Sequence, residues 1–120
     1  MKRRIFTLLF ILISIHAGGQ NMDVLQIDKL TSALQQAKDD TTRALVMTQL
    51  AEAYRDRDRI RDSTLYFAQK ALELSRQIEF PKGESKALLS LSYYFFVKGN
   101  LTNALELGLK GLELAGKHHL

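Results

Sequence analysis

Residues able to do covalent, acid–base or metal chemistry are few in this chain and lie far apart. The 120 residues contain no cysteine, so a thiolate nucleophile is excluded. The histidines are His16 and the pair His118-His119. The pair could bind a metal ion weakly, although a frayed tail is the simpler interpretation. No Ser, His and Asp are spaced as a catalytic triad. The sequence therefore predicts no enzyme, no cofactor and no metal site.

Two charged clusters have structural explanations. Asp39-Asp40 could act as paired carboxylates, but a carboxylate followed by an apolar periodic segment is typical of a helix N-cap. Between Arg55 and Asp62, four arginines alternate with three aspartates. Opposite charges this close cancel beyond a Debye length of about 8–10 Å. The second cluster is therefore predicted to be a solvated loop between helices.

The first nineteen residues have the layout of a secretory signal peptide. Lys2-Arg3-Arg4 precedes an apolar run of 11 residues, 5–15, and small residues follow it. The run is short for a membrane span, which needs about 20 residues. Cleavage is expected after Gly19, with Ala17 as the alternative; an uncleaved anchor or a buried helix is the competing interpretation. We expect an exported chain, periplasmic or secreted, with no stable membrane span after cleavage.

The basic charge of the chain comes mainly from this segment. The whole chain has 17 Lys and Arg against 13 Asp and Glu, a net charge of +4. Without Lys2, Arg3 and Arg4, the remainder from residue 20 carries 14 basic and 13 acidic residues. Nucleic-acid binding needs a clustered basic surface. No nucleic-acid partner is therefore predicted.

Apolar residues recur with helical spacing from Met22 to the end, and no segment alternates with period two. The pattern predicts an all-α fold. The five predicted helices cover residues 23–38, 41–55, 62–78, 82–98 and 101–115.

The last four predicted helices form a duplicated pair. Lys70-Ala-Leu-Glu-Leu74 recurs as Lys110-Gly-Leu-Glu-Leu114, an offset of 40, and Leu50-Ala51 recurs as Leu91-Ser92, an offset of 41. Repeats of about 20–50 residues are typical of stacked helical units. Gly108 and Gly111 replace alanines of the first copy, which indicates either close helix contacts or free exchange of small residues.

These residues resemble the tetratricopeptide repeat (TPR) family, in a variant of about 40 residues rather than the usual 34 or so. Leu91-Ser92, Phe95, Gly99-Asn100-Leu101 and Ala104 are similar to the family's pattern; the first copy lacks the turn glycine. The resemblance implies antiparallel helix pairs in a short right-handed α-solenoid. It divides the chain into a signal peptide at 1–19, a leading helix at 20–40, and repeats at 41–80 and 81–120.

The resemblance also implies a function and a site. Exported arrays of this type are similar to the extracytoplasmic sensor portions of longer bacterial signalling proteins, and they bind a protein or peptide. The alternative is a small self-associating structural or adaptor protein. In such arrays one face of each first helix lines a groove. The predicted groove residues are Thr48, Glu52, Arg55, Lys86, Leu89, Tyr93 and Phe96. Packing of the aromatic side chains against a neighbouring repeat is the competing interpretation.

The fifth predicted helix carries more apolar surface than one partner helix can cover. Leu101, Leu105, Leu109 and Leu112 form one stripe, and Leu107 and Leu114 form another. End repeats usually present a polar outer face. We therefore expect an exposed end stripe at Leu107 and Leu114, covered by further repeats of a longer array or by a second copy in a homo-oligomer.

Overall fold

The computed structural model describes residues 24–57 and 62–120, and these residues are helical apart from short connections. The helices are α1 (residues 24–36), α2 (Asp40–Arg57), α3 (Asp62–Gln77), α4 (Pro81–Val97) and α5 (Leu101–Lys117). No strand occurs among the described residues. The all-α prediction is confirmed, and the helices begin and end within a few residues of their predicted limits. The predicted signal peptide at 1–19 lies outside the described residues.

Local chemistry explains where the helices begin. Asp39 caps α2, because its carboxylate accepts hydrogen bonds from the backbone N–H of Thr42 at 2.7 Å and from the Thr42 hydroxyl at 2.8 Å. Pro81 opens α4, where a missing N–H costs nothing. The Asn100 side chain accepts from the backbone N–H of Asn103 at 3.2 Å and caps α5.

Three helices end in the same way, at residues spaced twenty apart. Glu79, Gly99 and His119 follow α3, α4 and α5 with φ of 51°, 80° and 55°, which is the left-handed region. In each case the next residue's N–H reaches back to a carbonyl five residues earlier, as Asn100 does to Phe95 at 2.9 Å. The tight turn predicted at Gly99-Asn100 is confirmed.

The helices pack as neighbouring pairs around two apolar clusters. α2 packs on α3, α4 packs on α5, and α4 also contacts α3 and α2. Ile27 of α1 joins Val46 and Leu50 of α2 in the first cluster. The second cluster contains Ala51, Ala68 and Leu91, so it links α4 to the preceding pair. The described helices therefore form a layered all-α array with α4 at its centre.

In the part of the chain that the structure describes, no helix is both long and apolar enough to cross a membrane.

Candidate functional site

An apolar groove runs along the outer side of the α4–α5 pair. Its volume is about 550 Å³. We call it the α4/α5 groove, and its lining residues are Leu89, Ser92, Tyr93, Phe96, Leu101, Ala104, Leu105, Gly108, Leu109 and Leu112.

The walls of this groove are large apolar side chains that face solvent. Four leucines of α5 (101, 105, 109 and 112) are 57–65% exposed. On α4, Phe96 is 60% exposed and Leu89 is 39% exposed. Single exposed apolar residues are common, but a contiguous exposed patch is typical of an interaction site.

Small residues form the floor of the groove and let the two helices approach. The Ser92 hydroxyl donates to the Ala104 carbonyl at 2.6 Å, and the Ser85 hydroxyl donates to the Gly111 carbonyl at 2.9 Å. A Cβ at Gly108 would lie 2.9 Å from the Ser92 Oγ. The close-contact interpretation of the glycines is therefore correct, and the floor stays shallow and open.

The prediction of an exposed stripe at Leu107 and Leu114 is wrong. Both residues are half-buried, and Leu107 packs against the cluster of Ala51, Ala68 and Leu91. The physical reason is that the preceding helix pair, α2 and α3, covers only one side of the α4–α5 pair. Leu107 lies on the side of α5 that faces the preceding helix pair, whereas Leu105 lies on the opposite side. The exposed stripe is the other one, 101, 105, 109 and 112.

Both leucine stripes are visible in the sequence, but the helical pattern alone does not indicate which of them faces solvent. The signal that could have separated them was the face of small residues on α5. Ala104, Gly108 and Gly111 lie between the two stripes, so they mark the contact with α4. The stripe on one side of that contact then faces the earlier helices, and the stripe on the other side faces away from them.

Three of the predicted groove residues line the α4/α5 groove: Leu89, Tyr93 and Phe96. Lys86 lies one turn before Leu89, in a neighbouring depression of about 450 Å³ that also contains Lys82 and His119. The structure therefore places the α4 half of the prediction on one surface. It also adds the α5 leucines, which the predicted groove did not include.

The α2 half of the prediction is only partly accessible. The Arg55 guanidinium carbon lies 5.1 Å from the centre of the Tyr93 ring, a cation–π contact that joins the two helices. Glu52 is half-buried. Thr48 is 1% exposed, and its hydroxyl donates to the Leu45 carbonyl at 2.7 Å. Thr48 is therefore corrected to a core position.

The reason for the burial of Thr48 is the seating of α4. Thr48 lies one turn before Ala51 on α2, and Ala51 packs against Leu91 of α4. The face of α2 that the prediction assigned to a partner is thus partly covered within the chain.

None of the residues that line the α4/α5 groove is charged. The backbone N–H of Thr42 lowers the pKa of the Asp39 carboxyl, with a further contribution from the Thr42 hydroxyl. The Lys110 ammonium, 2.9 Å from the Glu106 carboxylate, lowers the pKa of Glu106. Both carboxyl groups are exposed. Among the described residues, no three His, Asp or Glu side chains gather as metal ligands.

Comparison of the chain with protein-family models, with curated proteins and with solved structures finds no match.

Proposed function

We propose that this chain is a helical-repeat scaffold that binds a protein partner through the α4/α5 groove. The observation that supports it most directly is the exposure of six large apolar side chains, 39–65% each, along one continuous groove. Exposing this surface to water is unfavourable by roughly 25 cal/mol for each Å². A partner that covers it recovers that free energy.

The proposal extends to the setting of the scaffold. The signal-peptide pattern at 1–19 supports an exported chain, and the TPR-like residues support a role in the sensor or interaction region of a longer bacterial signalling protein. The shallow, apolar groove with few charges suits a protein surface better than a nucleic acid or a small charged ligand. The scaffold itself performs no chemical step.

A capture experiment tests the proposal. The full chain is immobilised and exposed to an extract of the cells that produce it. Two variants, Phe96→Asp and Leu105→Asp, place a charge in the groove, and Asn103→Asp places the same charge on exposed α5 surface outside it. We expect proteins that bind the wild-type chain and the Asn103 variant but not the two groove variants. Identical capture by all four chains would contradict the proposal.

Self-association is the alternative function, and the same leucines favour it. A homo-oligomer would bury the groove against a second copy. Light scattering on the full chain separates the two proposals. A monomer at micromolar concentration rules out the self-associating adaptor, whereas an oligomer that Leu105→Asp disperses supports it.

A further inference from the structure

The chain contains its own example of a helix seated on a helix pair. Leu91 of α4 is buried against Ala51 of α2 and Ala68 of α3. Leu65 and Leu72 of α3 pack around this contact. We call this seat the α2/α3 groove. It has a floor of small residues and a wall of leucines, and α4 fills it.

The α4/α5 groove is the repeat equivalent of that seat. At the offset of 41, Ala51 of α2 corresponds to Ser92 of α4. At the offset of 40, Ala68 of α3 corresponds to Gly108 of α5. All four residues are small, and Ser92 and Gly108 lie in the floor of the α4/α5 groove.

The leucine walls correspond in the same way. Leu65 and Leu72, which surround Leu91, have Leu105 and Leu112 as their equivalents at the offset of 40. The first two are half-buried beneath α4, and the second two are 65% and 61% exposed. The same elements of a helix seat are therefore present twice, and within the described residues one seat is filled.

The direction of the seated helix follows from the helix order. The Ser85–Gly111 and Ser92–Ala104 hydrogen bonds show that α4 and α5 run antiparallel. Short connections make the neighbouring pairs antiparallel as well, so α4 runs parallel to α2. A helix seated equivalently on the second pair runs parallel to α4 and antiparallel to α5.

The two seats differ at one edge, and the difference indicates the chemistry of the occupant. In the α2/α3 groove, Arg55 meets the ring of Tyr93 on the seated helix. The equivalent of Arg55 on α4 is Phe96, which is apolar and 60% exposed. The seated residue that faces Phe96 therefore meets a ring rather than a cation, which favours an aliphatic or aromatic side chain.

We propose that the α4/α5 groove binds an amphipathic helix in the orientation that α4 has on the α2/α3 groove. The helix presents a leucine to the floor formed by Ser92 and Gly108, as Leu91 does on Ala51 and Ala68. Two residues later, at the position of Tyr93, it presents an apolar side chain to Phe96. This inference rests on the proposed function and names the kind of partner that the groove takes.

A peptide of residues 81–98 is the probe, because among residues 24–57 and 62–120 α4 is the helix that lies in such a groove. Fluorescence anisotropy of the labelled peptide is measured against the full chain. We expect saturable binding that weakens at least about tenfold with the Leu105→Glu or Leu112→Glu chain, because a charge is then buried without a partner. A Leu91→Glu peptide should lose binding to a similar degree, and an Asn103→Glu chain should bind as the wild type does.

Three outcomes would overturn the inference. The first is the absence of saturable binding by the wild-type chain. The second is binding to the Leu105→Glu chain that is as tight as binding to the wild-type chain. The peptide would then bind at another place, for example in the α2/α3 groove after displacing the chain's own α4. The third is a dimer that Leu105→Glu disperses, which would make a second copy the occupant. If capture of partners still depends on Phe96 and Leu105, the proposed function stands without this inference.

Discussion

At the scale of single residues, backbone chemistry determines where these helices stop and how closely they meet. The residues after α3 and α5, Glu79 and His119, adopt a left-handed conformation that glycine takes at no cost, and Gly99 does so after α4. Gly111 allows contact with Leu88, because an added Cβ would lie 3.3 Å from the Leu88 Cβ.

The turn after α3 gives a first prediction. A non-glycine residue in the left-handed region loses about 1 kcal/mol, so Glu79→Gly should raise the free energy of unfolding by up to about 1 kcal/mol, measured by urea denaturation. Gly99→Ala is the matched control. It should lower that free energy by a similar amount, since a Cβ there meets nothing within 4 Å and only the backbone conformation changes. A loss of stability in Glu79→Gly, or a gain in Gly99→Ala, would contradict the assignment.

A second prediction concerns the contact between α4 and α5. Alanine is favoured over glycine in a helix by about 1 kcal/mol, but overpacking costs about 1–3 kcal/mol. The Leu88 Cβ cannot rotate away, so Gly111→Ala should be net destabilising, by about 1 kcal/mol. Gly116→Ala, on the same helix with nothing within 4 Å, should be neutral or stabilising. If denaturation curves show that Gly111→Ala raises the free energy of unfolding as much as Gly116→Ala does, the close contact is refuted.

The cap of α2 predicts a dependence of stability on pH. The folded-state pKa of Asp39 lies below its ordinary value because Thr42 donates to the carboxylate. Its stabilising contribution is therefore present above the ordinary pKa and is lost as the pH falls through the folded value. Asp39→Ala should lower the melting temperature at pH 7, and the difference from wild type should shrink as the pH falls below the ordinary Asp pKa of about 3.9. A difference that stays constant down to pH 2 would argue against the cap.

At the scale of helices, the position of each element in the array decides which side chains are buried. Leu91 and Leu105 are both leucines in the middle of a helix. Leu91 is 4% exposed, because α4 is seated on two earlier helices, whereas Leu105 is 65% exposed. The helical period alone does not distinguish these two positions.

We predict that alanine substitutions at these two leucines differ in their effect on stability. Leu91→Ala should destabilise the fold by about 2–5 kcal/mol, since it removes a buried side chain and leaves a cavity. Leu105→Ala should change the free energy of unfolding by less than about 0.5 kcal/mol. Circular dichroism during chemical denaturation measures both values. Similar losses at the two positions would mean that the α5 stripe is covered in solution.

The sequence predicted the helices well because their caps and periods are local signals. Asp39, Pro81 and Asn100 sit where the rules for helix starts place them, and the offsets of 40 and 41 located the helix pairs. The groove was predicted less well, because its position depends on which side of the α4–α5 pair is covered by the preceding α2–α3 pair. That arrangement buried Thr48, half-buried Leu107 and left Leu105 exposed. In the sequence it is indicated only indirectly, by the small residues Ala104, Gly108 and Gly111 between the two leucine stripes.

At the scale of the whole molecule, repetition connects the fold to the proposed function. The α2/α3 groove holds α4, and the α4/α5 groove has a similar floor and similar walls. We propose that a partner helix binds there. A helical array lends itself to this use, since each pair can bind a further helix with the same contacts. The proposed partner recognition is therefore an extension of the packing that holds the chain together.

Photo-crosslinking in the cells that produce the protein tests the central claim most directly, the binding of a protein partner in the α4/α5 groove. A photoreactive amino acid replaces Leu105 inside the groove or Asn103 outside it, on the same helix. We predict a discrete protein adduct from position 105 and none from position 103. No adduct from position 105, or the same adducts from both positions, would contradict the claim.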